Sequence, residues 1–68
     1  MGYGTGGTFA KDSQEIGMSQ SDIRELTEKV NFVGDKGIKA YEFKGKKYQV
    51  QYVNTGGETT LLSIKPIN

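Results

Sequence analysis

Near its start the chain reads GYGTGG, which matches G-x-G-x-x-G, the spacing that lets backbone amides at a helix N-terminus cradle a pyrophosphate. That chemistry needs a strand before the first glycine, a helix directly after the last, and a βαβ unit of about 30 residues around them. Only Met1 precedes the first glycine, and TGGTFAKD lacks the apolar spacing of a first helix. The stretch therefore reads as a flexible leader over residues 1–8. Asp12 and Glu15 stand one helical turn apart and could share a cation, but two carboxylates without further ligands make a poor site. The serines have cap, turn or strand roles, and there is no histidine to activate them. There is no cysteine either, hence no disulfide and no thiolate zinc site. No catalytic, cofactor-binding or metal-binding residue is expected, and the chain reads as a non-enzyme.

The elements that would position any other function must come from one small domain. At 68 residues the chain can bury only about 60% of its unfolded surface, so its core is marginal. Apolar content is 34% and the net charge is +1, which favours a globular domain over a disordered chain and argues against a dedicated nucleic-acid or membrane surface. No run approaches the ~18 apolar residues of a membrane span. Residues 1–33 hold three basic against five acidic side chains, and residues 34–68 hold six lysines against three acidic ones, so the two halves attract mildly.

AKDSQEI has the length of one or two helical turns before Gly17 interrupts it. In MSQSDIRELTEKV, Ser19 is placed to cap the amide of Asp22, and Met18 and Ile23 form a hydrophobic staple. Ile23, Leu26 and Val30 recur at helical spacing, and Glu25–Lys29 is a favourable i,i+4 pair, so a helix is expected over about 20–30. Gly34-Asp35-Lys36-Gly37 reads as a turn. Beyond it the period becomes 2, and KAYEF, KKYQVQYV and ETTLLSIKP read as three strands. A short turn at Lys44-Gly45 puts Tyr41 and Phe43 on the same face as Tyr48 and Val50. An odd-length loop around Thr55-Gly56-Gly57 adds Leu62 and Ile64 to that face and exposes Leu61. An even loop would bury Leu61 and expose the other two, and burial favours the odd one. The expected fold is α+β. One short and one longer helix pack on one face of a three-stranded antiparallel meander, ordered ααβββ, in a single domain over 9–68.

The run IGMSQSDIREL followed by YEFKGKKYQVQYVNTGGETTLLSIKP resembles the SmpA/OmlA (BamE-like) group of envelope lipoproteins and the related β-lactamase-inhibitor-protein-like domains. Ile16, Gly17, Met18, Ser19 and Ile23 fall in places similar to that family's helix-opening motif. The Leu-Gly-x-Pro that usually follows the helix is absent, as LTEKVNFVG has no proline, and so is the lipid-bearing cysteine. The resemblance implies this α+β layout, a bacterial envelope location and a scaffolding or inhibitory role. Without it a cytoplasmic location is the default.

The expected function is a non-catalytic protein-interaction module without cofactors. Its contact surface would be the polar sheet face and the hairpin loops near Gly45 and Gly56, with Lys47, Gln49, Gln51, Thr59 and Leu61 as contact residues. The marginal core also points to a homo-oligomer, through an edge strand or the open face. One alternative is a small nucleic-acid-binding protein using Lys44, Lys46 and Lys47 with stacking tyrosines. It is disfavoured because the strand pattern sends those rings under the helix. Another is a phage- or plasmid-encoded inhibitor of a host protein.

Overall fold

The structure is a computed structural model that describes residues 3–67. It is a small α+β domain with the chain order β1 (Tyr3–Thr5), α1 (Phe9–Ile16), α2 (Gln20–Lys29), β2 (Lys36–Phe43), β3 (Lys46–Thr55) and β4 (Glu58–Pro66). The four strands form one mixed sheet in the order β1-β4-β3-β2, with β1 parallel to β4 and the other pairs antiparallel. Two helices and three antiparallel strands follow in the expected order, but β2 begins at Lys36, inside the Gly34–Gly37 stretch that reads as a turn. The expected three-stranded ααβββ meander behind a flexible leader is replaced by this four-stranded mixed sheet. Tyr3–Thr5 form a strand of the sheet and Gly6 and Thr8 hydrogen-bond to β4, while Met1 and Gly2 of the expected leader lie outside the described residues.

Each helix has a local cause. Gly17 ends α1 in the left-handed conformation (φ 92°), and its N–H bonds Ser13 O and Gln14 O. The Met18 N–H also reaches Ser13 O, which makes a Schellman-type stop. Ser19 opens α2 with a full capping box. The Asp22 N–H donates to Ser19 Oγ at 3.2 Å, and the Ser19 N–H donates to Asp22 Oδ2 at 2.8 Å. Met18 and Ile23 are both buried in the core cluster, as the staple requires.

Both hairpins close with two-residue turns. Phe43 pairs with Lys46 across Lys44 (φ 53°) and Gly45 (φ 79°), and Thr55 pairs with Glu58 across Gly56 (φ 59°) and Gly57 (φ 82°). Positive φ at both central residues matches the right-handed twist of the flanking strands. The second loop is therefore even, contrary to the sequence expectation, and Leu61 is fully buried beside Tyr52. Ile64 is nevertheless buried too, at 1% exposure. The register shifts between Gln51 and Tyr52, which pair with Ser63 and Leu61, so Leu62 is an extra residue in a β-bulge. The odd step needed to bury two branched residues lies inside β4 rather than in the loop. Leu62 is consequently half-buried on the opposite face.

The N-terminal segment stabilises that bulge. Tyr3, Gly4 and Thr5 pair with Thr59, Thr60 and Leu61. The Gly6 N–H then donates to Leu61 O and the Thr8 N–H to Leu62 O, each at 2.9 Å. Gly7 must be glycine here. Its φ is 52°, and a Cβ would stand 2.7 Å from the Leu62 carbonyl oxygen. Gly4, Gly6 and Gly7 are thus a backbone fit along β4.

The core lies between the helices and one face of the sheet. Phe9 and Leu26 are fully buried from the helix side, and Tyr41, Tyr48, Val50, Tyr52, Leu61 and Ile64 come from the strands. Phe32 meets the Tyr52 ring edge-on at 4.9 Å, and the Tyr52 hydroxyl donates to Val33 O. Asn54 Nδ2 donates to Phe32 O and Gly34 O, tying the α2–β2 connection to the sheet.

Candidate interaction surface

Strand alternation divides the sheet into a dry face and a wet one. With Tyr48, Val50 and Tyr52 inward, Lys47, Gln49, Gln51 and Val53 point the other way, as do Lys36, Ile38, Ala40 and Glu42 of β2. Both helices bury their apolar residues in the core on the dry side. The outer face carries Ile38 (59% exposed), half-buried Val53 and the bulged Leu62, with Lys36 and Gln51 beside them. These residues line a shallow depression of about 560 Å³. Its shape follows from the bulge, which turns Leu62 outward.

Of the contact residues expected from sequence, Lys47, Gln49 and Gln51 do share the outer face and are exposed. Thr59 and Leu61 do not belong with them. Thr59 pairs with Asn54 and donates its hydroxyl to Asn54 Oδ1, while Leu61 is in the core. The bulge is the reason, because it inverts the phase of β4 over Glu58–Leu61 relative to the expected register. Ile38 and Val53 were missed. β2 begins three residues earlier than KAYEF, so Ile38 lies in the gap between the expected turn and the expected strand. Continuing the alternation backward from Tyr41 through Lys39 to Gly37 would have put Ile38 on the outer face.

Lys44, Lys46 and Lys47 stand around the β2–β3 turn, all exposed, with Lys44 Nζ 5.2 Å from the centre of the Phe43 ring. Tyr41, Tyr48 and Tyr52 are buried and offer no stacking surface. Burial pushes the Tyr41 phenol up, as do the charges of Glu25 and Asp22.

The densest polar arrangement surrounds Asp12. It is buried at the start of α1, where Oδ2 accepts from Thr8 Oγ1 at 2.8 Å and from the Ile64 N–H at 3.3 Å. Oδ1 accepts from Lys65 Nζ at 3.1 Å. Burial alone would push this carboxyl up. The hydrogen bonds from Thr8, Lys65 and Ile64, with the Lys65 charge, outweigh it and hold the carboxyl below its ordinary value. Asp12 therefore fastens α1 to β4. It also puts a negative charge in the first turn of α1, where a phosphate would have to sit, so the strand–glycine–helix order of residues 3–16 makes no anion cradle.

Asp12 and Glu15 share a cleft with Lys46, Lys47 and Lys65, where the lysines already balance the carboxylates. Among the described residues no three acidic, histidine or cysteine side chains converge on a metal position. No helix among them is long and apolar enough to cross a membrane. Comparison with family models, with curated proteins and with solved structures returned no match.

Proposed function

We propose that the domain is a non-catalytic protein-interaction module that binds a protein partner through the outer face of its sheet. One observation carries this reading. Both helices cover the same side, and the uncovered side presents Ile38, Val53 and Leu62 as an apolar centre among Lys36, Lys47, Gln49 and Gln51. An apolar centre with a polar rim is the anatomy of a protein contact surface. A scaffolding or inhibitory role fits such a surface, and it is the role the envelope-lipoprotein resemblance implies.

Photo-crosslinking from single positions tests it. A photoreactive side chain at Gln51 should capture one partner from cells of the source, and the same group at Arg24, on exposed α2, should not. Adding Leu62→Asp should abolish capture at Gln51 while leaving the far-ultraviolet circular dichroism unchanged. Capture from Arg24 and not from Gln51 would overturn the assignment.

A further inference from the structure

β2 is an edge strand of eight residues, and its outer side has no backbone partner among the described residues. The phase of its hydrogen bonding is fixed by the Asn54 N–H, which donates to Asp35 O at 2.6 Å. Asp35, Gly37, Lys39, Tyr41 and Phe43 therefore direct their backbone groups to β3, and Lys36, Ile38, Ala40 and Glu42 direct theirs to the open side. The side chains of the last four are all exposed on the outer face of the sheet. Such an edge is a template for strand addition.

The order Lys, Ile, Ala, Glu along that edge complements itself. In an antiparallel pair about a two-fold axis at Lys39, Lys36 stands opposite Glu42 of the second copy, and Ile38 opposite its Ala40. Each pairing occurs twice. Moving the axis to Ala40 sets Ile38 against Glu42, and moving it to Ile38 sets Lys36 against Ala40. Only the Lys39 register of these three matches charge with opposite charge and apolar with apolar. We propose that β2 pairs in this register with β2 of a second copy, joining two four-stranded sheets into one continuous sheet. The occupant of the edge is another copy of this chain. The proposal stands on the strand edge and is independent of what binds the outer face.

One contact opposes the pairing. Lys39 meets Lys39 of the second copy across the axis on the helix side, and like charges directly opposite weaken a strand pair. The association is therefore reversible, and Lys39 is a position at which it can be tightened.

Sedimentation equilibrium of the full chain tests the register. The wild type should show a concentration-dependent monomer–dimer equilibrium. Lys36→Glu alone and Glu42→Lys alone should each weaken it about tenfold, since each turns both ion pairs into repulsions. An equimolar mixture of the two variants should recover association, because the heterodimer restores both pairs, one with its signs exchanged and one as in the wild type. Lys39→Gln should tighten the dimer. Ala40→Pro removes an N–H that points to the open side and leaves the β2–β3 ladder intact, so it should give a folded monomer. A wild type that stays monomeric at several hundred micromolar overturns the proposal. So does a dimer that survives Ala40→Pro, or a mixture of the charge variants that fails to associate.

Discussion

Along β4 the sheet edge is occupied from Thr59 to Ile64, first by β1, then by the amides of Gly6 and Thr8, then by the carboxylate of Asp12 against the Ile64 N–H. At the other side of the sheet, β2 leaves a row of backbone groups without a partner among the described residues over a comparable length. Unpaired edges invite association, and proteins usually blunt them. Here the two edges are treated differently by the same short chain. The closed edge uses glycines and one buried acid to seat a segment with almost no apolar pattern. The open edge presents Lys36, Ile38, Ala40 and Glu42 on its outer face. The difference indicates that closure of β4 belongs to folding, because it holds the bulge that completes the core, whereas β2 is left available for recognition.

The sharpest way to break this comparison is to remove the residue that the bulge delivers to the core. Leu61→Ala should cost about 2–5 kcal/mol, the range for a fully buried leucine. Leu62→Ala should cost about 1 kcal/mol or less, since that side chain is half-buried on the outer face. Urea unfolding of the two variants checks it. Equal losses, or a larger loss at Leu62, would remove the bulge and with it the reason for closing this edge.

Next in size is the glycine that lets the N-terminal segment approach. Gly7→Ala should lose about 2 kcal/mol, because its φ is positive and the new Cβ would press on the Leu62 carbonyl. Gly4→Ala, three residues earlier in the same stretch, meets nothing within 4 Å and should be near neutral. If thermal unfolding shows the two alike, the segment is not seated as described.

These positions also mark where the sequence stops being legible. Side-chain signals were readable: the Ser19 cap, the Met18–Ile23 staple, and the alternation of Tyr48, Val50 and Tyr52 that placed Lys47, Gln49 and Gln51 together on the outer face. β1 is recognised by its backbone pairing with β4. Tyr-Gly-Thr has no period to read, and its partner lies more than fifty residues away in the chain. The bulge is invisible for a related reason. Leu61-Leu62 offers two adjacent apolar residues to one core position, and local pattern cannot decide which of them enters. The N-terminal amides that accept one answer and exclude the other come from the far end of the chain. Thr59 and Leu61 were misplaced by that single unread residue, and Ile38 by ending the strand pattern too early.

The smallest effect concerns Asp12, and its sign can be worked out. Despite burial, its carboxyl is held below its ordinary value in the folded protein by the hydrogen bonds from Thr8, Lys65 and Ile64. The contribution to stability is then complete above the unfolded pKa and is lost as pH falls through the lower, folded value. Asp22 behaves in the same direction, held down by the backbone and hydroxyl of Ser19. Melting temperature should therefore be flat above about pH 5 and fall in the acid range below pH ~4. Asp12→Asn should lower the plateau and make the acid fall shallower, and Asp22→Asn should do so through the cap of α2 alone. The two differ in what they do to the edge. Loss of the Asp12 charge frees Lys65 and weakens the hold on the Ile64 amide, so hydrogen exchange at Ile64 should rise in Asp12→Asn and stay unchanged in Asp22→Asn. Equal exchange at Ile64 in both variants would mean that β4 is closed without the acid, by β1 and the bulge contacts of Gly6 and Thr8.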